Sequence, residues 1–136
     1  MSTPIDLDTL TYAELADLLT ATQAERTSTS RYWAAAAVFT ATPRWMVPGL
    51  VIAEQHTVDH RSAHINWDNV ARLLKEGTGA STGEVFLLKL AYSIEKGATP
   101  AGLDMSELVI LSRDASERVI SALARLAGVR DPEGNQ

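Results

Sequence analysis

The segment between Ser81 and Gly97 constrains the fold of this chain more than any other feature of its sequence. Ser81 and Glu84 have the S-x-x-E spacing of a capping box, and Gly97 supplies a stop signal, so the pattern predicts a helix over 82–96. Its apolar side chains point in nearly every direction: Val85, Phe86, Leu87, Leu88, Leu90, Ala91 and Ile94. A helix that is apolar on most faces is normally buried. We therefore expect this one to be central, with other elements packed around it.

Further helix signals lie on both sides of this segment. Thr11 and Glu14 form a T-x-x-E capping box that opens an acidic amphipathic helix. An Ala-rich stretch at 31–39 predicts more helix, and the hydroxyl residues at 27–30 leave open whether 11–40 is one bent helix or two. Additional helix starts are predicted at Asn66, at Asp104, and at either Ser112 or Asp114, of which Asp114 fits a capping box better.

The segment 49–63 is the ambiguous part of the chain. Leu50, Val51 and Ile52 could begin a strand, but the residues from Glu54 to Ala63 favour a helix. Because no segment alternates convincingly between apolar and polar residues, we predict an all-α fold. It would be a compact single-domain bundle of about six or seven helices over 1–136, with frayed tails at 1–10 and 129–136 and a tri-helical C-terminal unit at 82–128.

The composition excludes several classes of protein. The chain has no Cys, which rules out disulfides, thiolate nucleophiles and iron–sulfur clusters and fits a reducing compartment. Its net charge of −5 does not favour binding to nucleic acid. The longest apolar runs, of about 8–10 residues, are too short to span a bilayer. We expect a cytoplasmic protein without a membrane partner.

No catalytic constellation is visible. The chain lacks both the G-x-S-x-G elbow of serine hydrolases and the G-K-[ST] ending of a phosphate-binding loop. The acidic pairs fall in predicted first helical turns, where carboxylates stabilise the helix dipole. We therefore predict that the protein is not an enzyme and needs no cofactor.

The three histidines of the chain, His56, His60 and His64, follow one another at intervals of four residues. On a helix, neighbouring members would lie one turn apart, and two imidazoles at this spacing can hold a divalent metal. The H-E-x-x-H motif is absent, since Thr57 follows His56. We favour solvent-facing or partly buried histidines and predict no metal site, with His56 and His60 as the candidates if one exists.

A short connector carries the candidate interface. Arg44, Trp45 and Met46 lie between Pro43 and Pro48, where the prolines disfavour a continuous helix. Tryptophan and arginine are enriched among residues that dominate binding energy. We expect these three residues to contact a protein partner or a second copy of the chain. Our leading hypothesis for function is accordingly a protein-interaction or assembly module.

The C-terminal third suggests an alternative. Its apolar spacing, from Leu103 through Leu108 to a final helix that ends at Gly128, resembles helix-turn-helix and winged-helix domains. That resemblance implies DNA binding through the 112–128 helix. Its groove-facing residues would then be Arg113, Ser116 and Arg118.

A looser resemblance covers more of the chain. It rests on Asn66-Trp67, on Ser81-Thr82-Gly83-Glu84, on Leu88-Lys89-Leu90-Ala91 and on the Ala-rich final helix. In these features the chain is similar to small uncharacterised helical proteins of actinobacteria and actinophages. This resemblance implies a bacterial or phage origin and no particular activity.

Overall fold

The computed structural model describes residues 2–25, 29–97 and 103–128, and it shows a mixed α/β fold. The prediction of an all-α bundle is wrong, because the described residues include a three-stranded antiparallel sheet. The strands are β1 (Thr3–Pro4), β2 (Val51–Thr57) and β3 (His60–Ile65), in the order β1-β2-β3. The tail expected to fray at 129–136 lies outside the described residues, whereas part of the 1–10 segment forms β1.

The sheet occupies the segment for which a helix was favoured. In the register of β2 and β3, Val51 lies opposite Ile65 and Ala53 lies opposite Ala63, and all four side chains are buried. The intervening positions point to the other face, where Ile52 and His64 are exposed. A strand with one face against the core and the other toward solvent buries every second residue. A helix would have divided these four side chains among different faces.

The helices are α1 (Tyr12–Ala24), α2 (Thr29–Phe39), α3 (Trp67–Glu76), α4 (Thr82–Lys96) and α5 (Arg113–Leu126). Short 3-10 helices cover Leu7–Thr9, Pro43–Trp45 and Met105–Ile110. The segment 11–40 thus contains two helical elements, with Glu25 as the C-cap of α1.

Capping explains most of the helix boundaries. The capping boxes at Thr11 and Ser81 are both formed, and α4 has the predicted bounds and ends at Gly97 in a left-handed conformation, with φ of 70°. For α5, Ser112 is the cap, since its side chain accepts a hydrogen bond from Ala115 N. The preference for Asp114 as that cap is wrong.

The core is organised around α2 as well as α4. Every residue of α2 from Ala34 to Phe39 is buried, and this helix packs against α1, α4 and α5. Its four consecutive alanines allow the neighbouring helix backbones to approach closely. The α4 helix contributes the larger side chains, including the fully buried Phe86 and Leu88. The small sheet lies beside this helical core, with α1 packed against β3.

Candidate functional site

The connector 43–50 is held to the core by Trp45. The Thr42 side chain caps the short helix Pro43–Trp45, and the Trp45 side chain is only 3% exposed. The indole Nε1 donates a hydrogen bond to the carbonyl oxygen of Glu84, at 2.9 Å. This bond satisfies the one polar atom of a buried indole. Trp45 therefore anchors the connector and offers a partner almost no surface.

The other two predicted interface residues differ in exposure. Met46 is half-buried against the core. Arg44 is exposed, and its guanidinium carbon lies 5.5 Å from the centre of the Trp45 ring. This cation–π contact places the guanidinium group beside the indole, and the exposed Arg44 side chain keeps its charge accessible to solvent.

A groove of about 480 Å³ lies between this connector and α3; we call it the Arg44–Arg72 groove. Its apolar walls come from Val47, Pro48, Leu50 and Leu73, and charged side chains at its edge are Arg44, Arg72 and Glu76. The Asn69 side chain holds the two sides together, because its Nδ2 donates to the carbonyl oxygen of Gly49 at 2.7 Å.

The groove carries unpaired positive charge. Arg72 is exposed, and within the described part of the chain it forms no hydrogen bond or ion pair. Two arginines and one glutamate line the groove, whereas the whole chain has a net charge of −5. This surface is therefore locally basic on an otherwise acidic protein, which favours negatively charged groups here.

Sequence reasoning missed Arg72 and Leu73. The signal that could have found them is the spacing of Asn69, Arg72, Leu73 and Glu76, which puts all four on one face of α3. That face mixes an apolar residue with opposite charges, so it does not stand out from an ordinary solvent-facing surface.

The three DNA-binding candidates differ in exposure and in their contacts. Arg118 turns inward: its Nε donates to Ala37 O at 2.8 Å and its Nη2 to Thr40 Oγ1 at 2.6 Å. Arg113 is exposed but pairs with Glu117, at 3.2 Å between Nε and Oε2. Ser116 is half-buried. Arg118, which the helix-turn-helix resemblance placed facing the DNA groove, therefore joins α5 to α2.

The surroundings of Arg118 also disfavour a nucleic-acid interface. The α5 helix packs chiefly against α2, not against α4 as in a helix-turn-helix unit. Asp17, Asp114 and Glu117 line the cavity of about 620 Å³ beside Arg118 and would repel phosphates. Burial raises the pKa of Tyr12, which lines the same cavity, and the charge of Arg118 partly opposes this increase. The Tyr12 hydroxyl donates to the carbonyl oxygen of Thr40.

The histidines lie on the hairpin, and the helical spacing expected for them is wrong. The register slips by one residue between Gln55 and Thr57, which places His56 at a β-bulge. The rings of His56 and His60 nevertheless lie 5.1 Å apart, while His64 pairs with Ile52 further along the sheet. Among the described residues, no group of three or more His, Asp or Glu side chains is arranged to hold a metal ion.

Comparisons of this chain with protein-family models, with curated proteins and with solved structures gave no match. Among the described helices, none has the combination of length and apolar character needed to cross a membrane.

Proposed function

We propose that this protein is a non-enzymatic interaction module that binds a segment of a partner protein in the Arg44–Arg72 groove. This proposal rests on one observation: the Arg44–Arg72 groove combines apolar walls with two exposed arginines. Apolar walls with a few placed charged groups are typical of recognition sites. The lack of Cys supports a cytoplasmic location, which we include in the proposal.

The chemistry of the groove defines the class of partner. Val47 is 40% exposed and lies in the same cavity as Leu73, so the groove can cover an apolar side chain. Arg44 and Arg72 present planar guanidinium groups, which bind carboxylates through paired hydrogen bonds. The partner segment would therefore carry an Asp or Glu next to an apolar residue.

A display library of random linear peptides tests this proposal. The tag-free protein is immobilised, and enriched peptides are measured by fluorescence polarisation. We expect the enriched peptides to share an acidic residue beside an apolar one. Arg72→Ala should weaken their binding by about 5- to 30-fold, the effect of losing about 1–2 kcal/mol from a charge-assisted hydrogen bond. Added salt should weaken binding to the wild type as well.

Lys75→Ala provides the matched control. Lys75 is an exposed cation on the same helix, and it does not line the groove. Its removal changes the net charge by the same amount as Arg72→Ala. The proposal is refuted if the two substitutions weaken binding equally, or if the enriched peptides lack acidic residues. A salt-sensitive dimer that Arg72→Ala dissociates would show instead that a second copy of the chain occupies the groove.

A further inference from the structure

All three histidines of the chain lie on the outer face of the hairpin, although a helix was expected there. His60, Ser62 and His64 alternate along β3 and share one face. His56 reaches the same face from the bulge in β2, because its Nε2 lies 2.7 Å from Ser62 Oγ. On the opposite face, the core buries the side chains of four residues: Val51, Ala53, Ala63 and Ile65. The hairpin thus places three imidazoles on one face, where His60 and His64 are exposed and His56 is half-buried.

The distance between the rings of His56 and His60 fits a metal ion that both imidazoles bind. Zinc–nitrogen bonds are about 2.0–2.1 Å long, so the centres of two imidazoles on one tetrahedral ion lie about 5 Å apart. The ring centres of His56 and His60 are 5.1 Å apart, with 33° between the ring planes. This separation meets the distance requirement for two imidazoles that bind the same ion.

The contact with Ser62 indicates which ring nitrogen of His56 would bind a metal ion. Because Nε2 of His56 lies at the hydroxyl of Ser62, Nδ1 is the ring nitrogen left for a metal. Ser62 is only 5% exposed, so its hydroxyl holds the imidazole at a fixed position. Such a hydrogen bond from the second nitrogen is the usual way in which proteins orient a metal-binding histidine.

We propose that His56 and His60 bind one divalent transition-metal ion of the kind that prefers imidazole, such as Zn²⁺ or Ni²⁺. Water molecules would complete the coordination, since the described residues offer no third protein ligand at this position. The ion would bridge β2 and β3 beside their turn. This proposal does not depend on the peptide-binding function.

Isothermal titration calorimetry of the tag-free protein with ZnCl₂ at pH 7.5 tests the site. We expect one ion per chain for the wild type and no measurable binding for His56→Ala or His60→Ala. Ser62→Ala should weaken binding by about 10-fold, as the loss of an orienting hydrogen bond typically does.

His64→Ala is the matched control, because it removes an exposed imidazole from the same face at a distance from the pair. It should bind zinc as the wild type does. Circular dichroism of each variant establishes that the fold is intact. The proposal is overturned if the wild type gives no more heat than His60→Ala, or if His64→Ala loses binding as completely as His60→Ala does.

Discussion

Replacing Thr22 with Val should destabilise the protein, because it removes the acceptor of a buried backbone N–H at the edge of the sheet. In the described structure β3 pairs with β2 on one side only, and α1 packs along its other side. There the amide of Ala63 donates to Thr22 Oγ1 at 3.1 Å. Both residues are buried, with Thr22 9% exposed and Ala63 0% exposed. Water therefore cannot replace the hydroxyl if it is removed.

The size of the effect follows from this geometry. Valine has nearly the shape of threonine, so Thr22→Val removes the acceptor without leaving a large cavity. A buried N–H without a partner costs about 1–3 kcal/mol. For a chain of 136 residues, an unfolding entropy of about 2.1 cal/mol/K per residue gives about 0.3 kcal/mol/K. The melting temperature should therefore fall by about 3–10 °C.

Urea unfolding followed by circular dichroism measures the loss in free energy of unfolding, and thermal unfolding measures the fall in melting temperature. Thr22→Ser is the matched control. Serine keeps the hydroxyl and loses one methyl group, so its cost should stay below about 1 kcal/mol. Hydrogen exchange at the Ala63 amide should accelerate in Thr22→Val more than in Thr22→Ser. If Thr22→Val is at least as stable as Thr22→Ser, the hydroxyl does not cap this edge and our reasoning is refuted.

Three further predictions follow from buried or capping contacts. Trp45→Phe should lower the free energy of unfolding by about 2 kcal/mol, since it loses the indole hydrogen bond and part of the buried ring; an unchanged urea midpoint would contradict this. Arg118→Met should lower the free energy of unfolding by about 1–3 kcal/mol, because it removes partly buried hydrogen bonds. Arg113→Ala breaks an exposed ion pair and should lower it by less than about 1 kcal/mol. Equal losses would refute the assignment of Arg118 to core packing. Hydrogen bonds from Thr11 lower the pKa of Glu14, so their stabilisation is present above the ordinary pKa of 4.5 and is lost as the pH falls through the lowered value. Thr11→Ala removes the side-chain hydrogen bond and keeps the backbone N–H that donates to the Glu14 carboxylate, so it should raise the pKa of Glu14 only part of the way to 4.5 in an NMR titration. An unchanged pKa would contradict the contribution of the Thr11 side chain.

Local signals in the sequence predicted the helices well. The capping residues Thr11, Ser81 and Asn66 each act on backbone amides within three residues, so short-range patterns are sufficient to find them. The apolar run in α4 likewise predicted that this helix is buried, because a helix of that composition has no polar face to expose to water.

The sheet was missed because its stability comes from distant contacts. Ala53 and Ala63 have no strong preference for strands, and the turn at Val58-Asp59 lacks the Gly or Asn that marks most short hairpins. Pairing with β1 and the hydroxyl of Thr22 stabilise the strands, and neither is visible locally. The spacing of the histidines did not help, since an interval of four residues returns to the same face in a strand as well as in a helix.

Only part of the groove was singled out in the sequence. The pair of prolines drew attention to the connector that carries Arg44. The hydrogen bond of the buried Trp45 goes to the Glu84 carbonyl, which is 39 residues away. Arg72 shares the groove with Arg44 only because α3 folds back beside the connector. Such a juxtaposition arises from tertiary structure, and no local pattern contains it.

Amide chemical-shift mapping with a peptide selected from the library tests the central claim most directly. Titrated into the ¹⁵N-labelled protein, the peptide should shift resonances of the 44–50 connector and of the α3 face that carries Asn69 and Arg72. The same titration with Arg72→Ala should need a higher peptide concentration for the same shifts. Shifts centred on α5, or an Arg72→Ala titration that matches the wild type, would contradict the assignment of this groove as the binding site.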